Sequence, residues 1–79
     1  MKIQVLGSGC AKCKALEQNA RDAVARNGID AEVEKITDLD TIMEMGVMMT
    51  PALAIDGIVK KAGKVLSADE IAAIVNEAV

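Results

Sequence analysis

The chain has 79 residues, of which 52% are hydrophobic and none is Phe, Tyr or Trp, and its formal net charge is −3. This length predicts a single domain over residues 1–79, with a core of small aliphatic side chains. The acidic balance and the lack of stacking side chains argue against nucleic-acid binding, and no apolar run approaches the ~20 residues of a membrane span. Because the first predicted strand follows Met1 directly, leaving no room for a secretory signal, we expect a cytoplasmic protein.

The first half of the chain predicts a strand, a long helix and a second strand. Apolar residues predict the first strand at about 2–7. They then recur at helical spacing over about 11–27, and Asn27-Gly28 favours an end there, since both residue types tolerate the left-handed conformation. The alternating pattern at about 31–36 predicts a second strand at an edge of the sheet, half covered by helices.

A short helix is expected next. Thr37 is its predicted N-cap, acidic residues occupy its first turn, and Gly46 follows its last residue. Leu39, Ile42 and Met43 are spaced to form a buried stripe along this helix. The helix would therefore cover part of one face of the sheet.

The rest of the chain predicts a β-hairpin and a final helix. Residues 52–55 are apolar on both faces, as in a central strand, and Asp56-Gly57 is a strong turn signal before an edge strand at 58–62. Residues 67–70 read Ser-Ala-Asp-Glu, a capping box that opens the last helix. The order βαβαββα predicts an α/β fold in which three helices flank a four-stranded mixed sheet. Lys60 and Lys61 would protect this edge strand from pairing with other chains, so we expect a monomer.

Cys10 and Cys13 are the only cysteines, and they lie where the first strand gives way to the first helix. The apolar face of that helix includes Cys13, which we expect to point toward the core, whereas Cys10 lies at the helix start and can stay at the surface. Unpaired N–H groups and the helix dipole favour a thiolate there. We therefore predict that Cys10 has the lower pKa and attacks a substrate disulfide first, and that Cys13 resolves the mixed disulfide.

A structural role for the cysteine pair is less well supported. A four-residue ring constrains the unfolded chain by only about 2 kcal/mol. A structural zinc site needs four ligands, whereas this chain has two Cys and no His, so we expect no self-contained metal site. Two inert buried cysteines remain an open alternative. In a cytosolic protein the spacing favours a dithiol–disulfide redox centre that works without a bound cofactor.

Two segments carry a resemblance to a known family. Residues 7–13 read Gly-Ser-Gly-Cys-Ala-Lys-Cys, and residues 50–57 read Thr-Pro-Ala-Leu-Ala-Ile-Asp-Gly. In this order and at this separation they resemble the very small thioredoxin-like, or glutaredoxin-like, proteins of archaea and bacteria. The resemblance covers nearly the whole chain and implies a minimal thioredoxin fold. It also implies a protein disulfide oxidoreductase that acts on disulfide-containing proteins and is reset by a reductase of the thioredoxin-reductase type.

The resemblance also implies residue roles around the cysteines. It implies a cis Thr50–Pro51 bond with Pro51 packed beside the pair, and a Thr50 backbone that binds an extended substrate peptide by strand addition. On sequence alone a trans loop proline is the commoner state. Lys12 is a candidate for contacting substrate and tuning Cys10, although an exposed lysine usually contributes less than ~1 kcal/mol. Met49 is a candidate for an apolar docking patch, while methionine is more often core filler.

The sequence departs from the family pattern at several positions. Gln4 stands where thioredoxins carry a buried Asp that assists proton transfer from the second cysteine. Gly63 is the single glycine where glutaredoxins have the double glycine that binds glutathione. The chain also lacks the Trp before, and the Pro between, the cysteines of thioredoxins.

Two rival functions remain. One is a soft-metal (Cu, Zn or Hg) binding or delivery module, because metallochaperone domains also place Cys-x-x-Cys after a first strand; those domains have βαββαβ order and end in a strand. The other is a redox-inactive adaptor that keeps only the scaffold, since a fold does not imply a function.

Overall fold

The computed structural model describes residues 1–7, 9 and 11–78 of the chain. Within them, seven elements follow in the predicted order: β1 (Lys2–Leu6), α1 (Ala11–Asn27), β2 (Glu32–Ile36), α2 (Leu39–Glu44), β3 (Ala52–Ile55), β4 (Ile58–Ala62) and α3 (Ala68–Ala78). The bounds of the strands and of α1 lie within one residue of the predicted ones. In this described part of the chain, no helix has the length and apolar character needed to cross a membrane.

The four strands form one mixed sheet in the order β2-β1-β3-β4, which confirms the predicted α/β architecture and minimal thioredoxin fold. β1 pairs with β2 in parallel, whereas β1 with β3 and β3 with β4 are antiparallel. Leu6, the last residue of β1, lies opposite Ala52, the first residue of β3. The residues that follow β1 and those that precede β3 therefore meet at the same end of the sheet.

Alternate strand positions build a core on each face of the sheet. On one face, Ile3 and Val5 of β1 pack with the buried side chains of α1 and α3. On the other face, Leu6 packs with Ala54 and with Ile42 of α2. The face beneath α1 and α3 carries the larger core, and it is the face on which α1 positions its first turn.

The predicted hairpin turn and the predicted capping box of α3 are confirmed. Asp56 and Gly57 have φ of 51° and 85°, the left-handed pair that a two-residue hairpin needs. At the start of α3, the Ser67 hydroxyl accepts from the Glu70 N–H at 3.1 Å, and a Glu70 carboxylate oxygen accepts from the Ser67 N–H at 3.1 Å. This hydrogen bond from Ser67 and the neighbouring Lys64 ammonium lower the pKa of Glu70.

Helix α2 differs from its prediction in its cap and in its buried face. Its N-cap is Asp38, not Thr37: the Asp38 carboxylate accepts from the backbone N–H of Asp40 at 3.2 Å. Ile42 is buried, but Leu39 and Met43 are 61% and 71% exposed. The helix is only six residues long, so it covers the sheet with one side chain, and residues one turn apart on its other side face solvent.

Candidate functional site

Cys13 is the third residue of α1 and is only 4% exposed. It lies on the same buried face of the helix as Leu16 and Ala20, because residues three and seven positions later return to one side of an α-helix. The prediction that Cys13 points toward the core is confirmed. Cys10, predicted to be exposed at the helix start, lies outside the described residues.

Three segments meet around the Cys13 sulfur. Gly7, the first residue after β1, is buried, and a Cβ built on it would overlap Cys13 Sγ. That Cβ position is also 3.0 Å from Cys13 Cβ and 3.9 Å from Pro51 Cα. We refer to Gly7, Cys13 and Pro51 as the junction. It joins the end of β1, the start of α1 and the start of β3.

Pro51 enters the junction from the segment before β3. The Thr50–Pro51 peptide bond is cis, as the resemblance implied, and Pro51 is buried. The Pro51 carbonyl accepts from the Gly63 N–H at 2.8 Å, which ties the segment to the residue after β4. Thr50, one residue earlier, is exposed. The Thr50–Pro51 bond therefore joins an exposed residue to a buried residue of the junction.

Met48 and Met49 precede this bond and are 96% and 66% exposed, so neither is core filler. The Met49 side chain lies against Gly63: a Cβ built there would be 3.2 Å from Met49 Cβ and 3.3 Å from Met49 Cε. The Gly63 N–H also donates to Pro51, so the Met49 side chain lies beside the segment that enters the junction. We refer to residues 48–50 as the exposed segment.

The first turn of α1 carries the nearby charges. Lys12 and Lys14 are exposed on either side of Cys13 in the sequence. Their charges reinforce the positive end of the helix dipole, although exposed charges interact weakly across water. Lys12 thus remains a candidate for contact with a partner rather than a strong electrostatic determinant.

Gln4 has a different role from the acid that the family carries at its position. Its side-chain oxygen accepts from the Gly57 N–H at 2.7 Å, in the turn between β3 and β4. Gln4 and Gly7 differ by three positions along β1 and its extension, so their side-chain directions lie on opposite faces of the sheet. An amide is no base, and this one is held by the hairpin turn.

A surface groove lies elsewhere, between α1 and the edge strand β2, where its lining includes Arg21, Val24 and Val33. Of the described residues, none that was predicted for the site lines this groove. The described part of the site is instead the buried junction and the exposed segment that leads into it.

The sequence prediction missed the position of Gly7. The Gly-Ser-Gly stretch is a turn signal, and that signal does not reveal which glycine faces a sulfur atom. Only the approach of α1 to the end of β1 brings Gly7 and Cys13 together.

Comparison with known proteins places this arrangement among described families. A sequence profile of the thioredoxin domain matches residues 1–76. A thioredoxin of Methanothermobacter thermautotrophicus is 53% identical over 76 residues, covering 96% of this chain and 99% of the relative. A thioredoxin of Methanocaldococcus jannaschii is 42% identical over 69 residues, covering 87% of this chain and 79% of the relative.

Proposed function

The chain belongs to the thioredoxin family, and we propose that it reduces or exchanges protein disulfides through a Cys10–Cys13 dithiol. Family membership supports thiol–disulfide oxidoreduction in general. The assignment to this cysteine pair is our proposal, as are the substrate-contacting roles of Lys12, Met49, Thr50 and Pro51.

The proposed reaction has two exchange steps. The Cys10 thiolate attacks one sulfur of a substrate disulfide, which releases the other substrate sulfur as a thiolate and leaves a mixed disulfide. Cys13 then loses its proton to water and attacks Cys10, so that the Cys10–Cys13 disulfide forms and the second substrate thiolate leaves. The substrate gains two electrons and the protein loses two. A reductase partner must return them, and no bound cofactor is needed.

The observation that carries this proposal is the burial of Cys13 in the junction. A resolving cysteine must be sheltered from outside disulfides and held one helical turn from the nucleophile, and Cys13 is 4% exposed in the first turn of α1. A helix N-terminus also favours the thiolate form of a cysteine that precedes it. Both features support different roles for two sulfurs so close in sequence.

The exposed segment supports protein substrates in particular. Among the described residues, no backbone hydrogen bond outside the helices and strands involves Thr50, which is exposed beside the buried Pro51. An extended substrate strand would pair with the Thr50 backbone. The Met49 side chain offers an adaptable apolar surface, which suits partners of varied sequence.

The element order counts against the metal-delivery alternative. Metallochaperone domains have βαββαβ order and end in a strand. In this chain, α2 follows β2 and α3 follows β4. The cytoplasmic location, monomeric state and one-domain organisation remain predictions.

Reduction of insulin disulfides with dithiothreitol as electron source tests the proposed function. We expect the wild-type chain to accelerate the reaction and Cys10→Ser to abolish the acceleration. Lys14→Ser is the matched control, because it changes an exposed residue of the same turn and leaves both sulfurs in place. Nanomolar Cu(I) or Zn(II) binding without any disulfide exchange would instead establish the metal-delivery alternative.

A further inference from the structure

Gly7 and Gly9 precede the cysteines and are glycine for opposite reasons. Gly9 has a φ of 88°, in the left-handed region, and a Cβ there would meet nothing within 4 Å. Gly7 is not among the glycines with positive φ, yet a Cβ there would overlap the sulfur of Cys13. Residue 7 therefore lacks a side chain because of the space that a sulfur atom occupies, not because of its backbone conformation.

The backbone on each side of this contact is held in place. The Gly7 N–H donates to the Ile36 carbonyl at 2.9 Å, which fixes Gly7 at the end of the parallel β1–β2 pair. Helix α1 is anchored by fully buried side chains, among them Leu16 and Ala20. Pro51 closes a third side, with its Cα 3.9 Å from the Cβ position. A backbone shift large enough to admit a methyl group would disturb all three segments.

The Cys13 sulfur is the atom that a side chain at residue 7 would meet first. Cys13 Sγ is the end of a side chain with one rotatable heavy-atom torsion, so rotation about χ1 would relieve the overlap with Sγ. The 3.0 Å approach to Cys13 Cβ, which χ1 does not move, would need only a further shift of a few tenths of an ångström. In a helix one of the three staggered χ1 positions is rare, so few alternatives exist. A side chain at residue 7 would thus displace the sulfur before it would unfold the protein.

We infer that Gly7 is a positioning residue for the resolving step: its bare Cα lets the Cys13 sulfur occupy the place from which it attacks Cys10. The inference rests on the proposed function. The step forms the Cys10–Cys13 bond and breaks the bond between Cys10 and the substrate sulfur, which leaves as a thiolate and is protonated by water. The first attack, by Cys10, does not use the Cys13 sulfur and so does not depend on residue 7.

Gly7→Ala separates the two steps. A misplacement of about 1 Å can cost roughly 100-fold in rate, so we expect the mixed disulfide to persist about 10- to 100-fold longer than in the wild type. Reduced protein is mixed rapidly with a fluorescent peptide disulfide, quenched in acid at intervals, and the mixed disulfide is quantified by mass spectrometry. The same substitution in a Cys13→Ser background reports the first attack alone, which should keep its rate. Equal mixed-disulfide lifetimes, or equal slowing of both steps, would overturn the inference.

A thermal unfolding cycle tests the same contact without any catalysis. Gly7→Ala should lower the Tm of the chain that carries Cys13 more than it lowers the Tm of a Cys13→Ala chain, where the sulfur is gone. If this coupling appears but no variant exchanges disulfides, the proposed function fails while the contact stands. If exchange proceeds with equal Tm shifts and unchanged mixed-disulfide lifetimes, Gly7 has no positioning role.

Discussion

The junction and the exposed segment meet at the Thr50–Pro51 bond, but they are built in opposite ways. Gly7, Cys13 and Pro51 are buried, and they bring together the end of β1, the start of α1 and the segment before β3. Residues 48–50 are exposed and present their side chains to solvent. On the proposed function, the chemistry and the recognition of substrate therefore lie in separate regions of the protein. We expect changes in the junction to affect every disulfide substrate, and changes in the exposed segment to affect only protein substrates.

The largest expected effect is that of Cys13→Ser. Turnover with insulin should stop, because Cys10 still attacks but nothing releases the mixed disulfide. The trapped species is measured as a covalent adduct of protein and substrate that dithiothreitol dissociates. Turnover that continues at the wild-type rate would show that Cys13 is not the resolving cysteine and that the junction has no part in the chemistry.

Stability should follow the same division between buried and exposed positions. Leu16 is fully buried beside Cys13 on α1, and Leu16→Ala should lower the free energy of unfolding by about 2–5 kcal/mol. Met43→Ala, at a residue 71% exposed, should change it by less than about 0.5 kcal/mol. Urea unfolding measures both, and similar losses for the two variants would contradict the assignment of buried and exposed faces.

A moderate effect is expected in the exposed segment. The double change Met48→Ser and Met49→Ser should remove apolar contact worth about 1 kcal/mol, which raises KM for insulin roughly fivefold. Turnover of a small linear disulfide such as bis(2-hydroxyethyl) disulfide should not change, since it makes no contact there. Met43→Ser is the matched control on another exposed methionine. Equal losses with both substrates would show that these methionines support the junction rather than the partner.

The smallest effect concerns α3, outside both regions. Hydrogen bonding from the Ser67 N–H and the Lys64 ammonium lower the pKa of Glu70 in the folded state, so the native protein binds fewer protons there than the unfolded chain. The stabilisation is therefore complete above the ordinary pKa of 4.5 and disappears as the pH falls through the lowered value. Urea unfolding of wild type and Glu70→Gln should differ slightly at pH 7 and converge in acid, with disulfide exchange unaffected. A difference that widens in acid would contradict this pH dependence.

Much of the fold follows from local patterns in the sequence. The strands, α1 and the hairpin turn were predictable because each depends on residue spacing or on turn chemistry within a few residues. The capping box at Ser67 and Glu70 is local in the same sense. The buried face of helix α2 was not predictable, because six residues cover too few helical turns to define it. Leu39 and Met43 lie on the exposed side of this helix.

The site was predictable in part for a similar reason. The burial of Cys13 follows from helical spacing, which any amphipathic helix shows. The cis Thr50–Pro51 bond came from resemblance alone, since a cis bond is a minority state that local residues do not dictate. The role of Gly7 arises only where α1 approaches the end of β1, which is a tertiary contact between residues six positions apart.

A redox titration of the cysteine pair is the most direct test that Cys10 and Cys13 form a redox-active dithiol. The protein is equilibrated across a series of reduced and oxidised dithiothreitol, quenched in acid, unfolded and alkylated, and the mass of each species is measured. We predict one two-electron transition, in which Cys10 and Cys13 are alkylated together when reduced and are both protected from alkylation when oxidised. Two cysteines that remain alkylated across the whole series, or that change independently of one another, would contradict it.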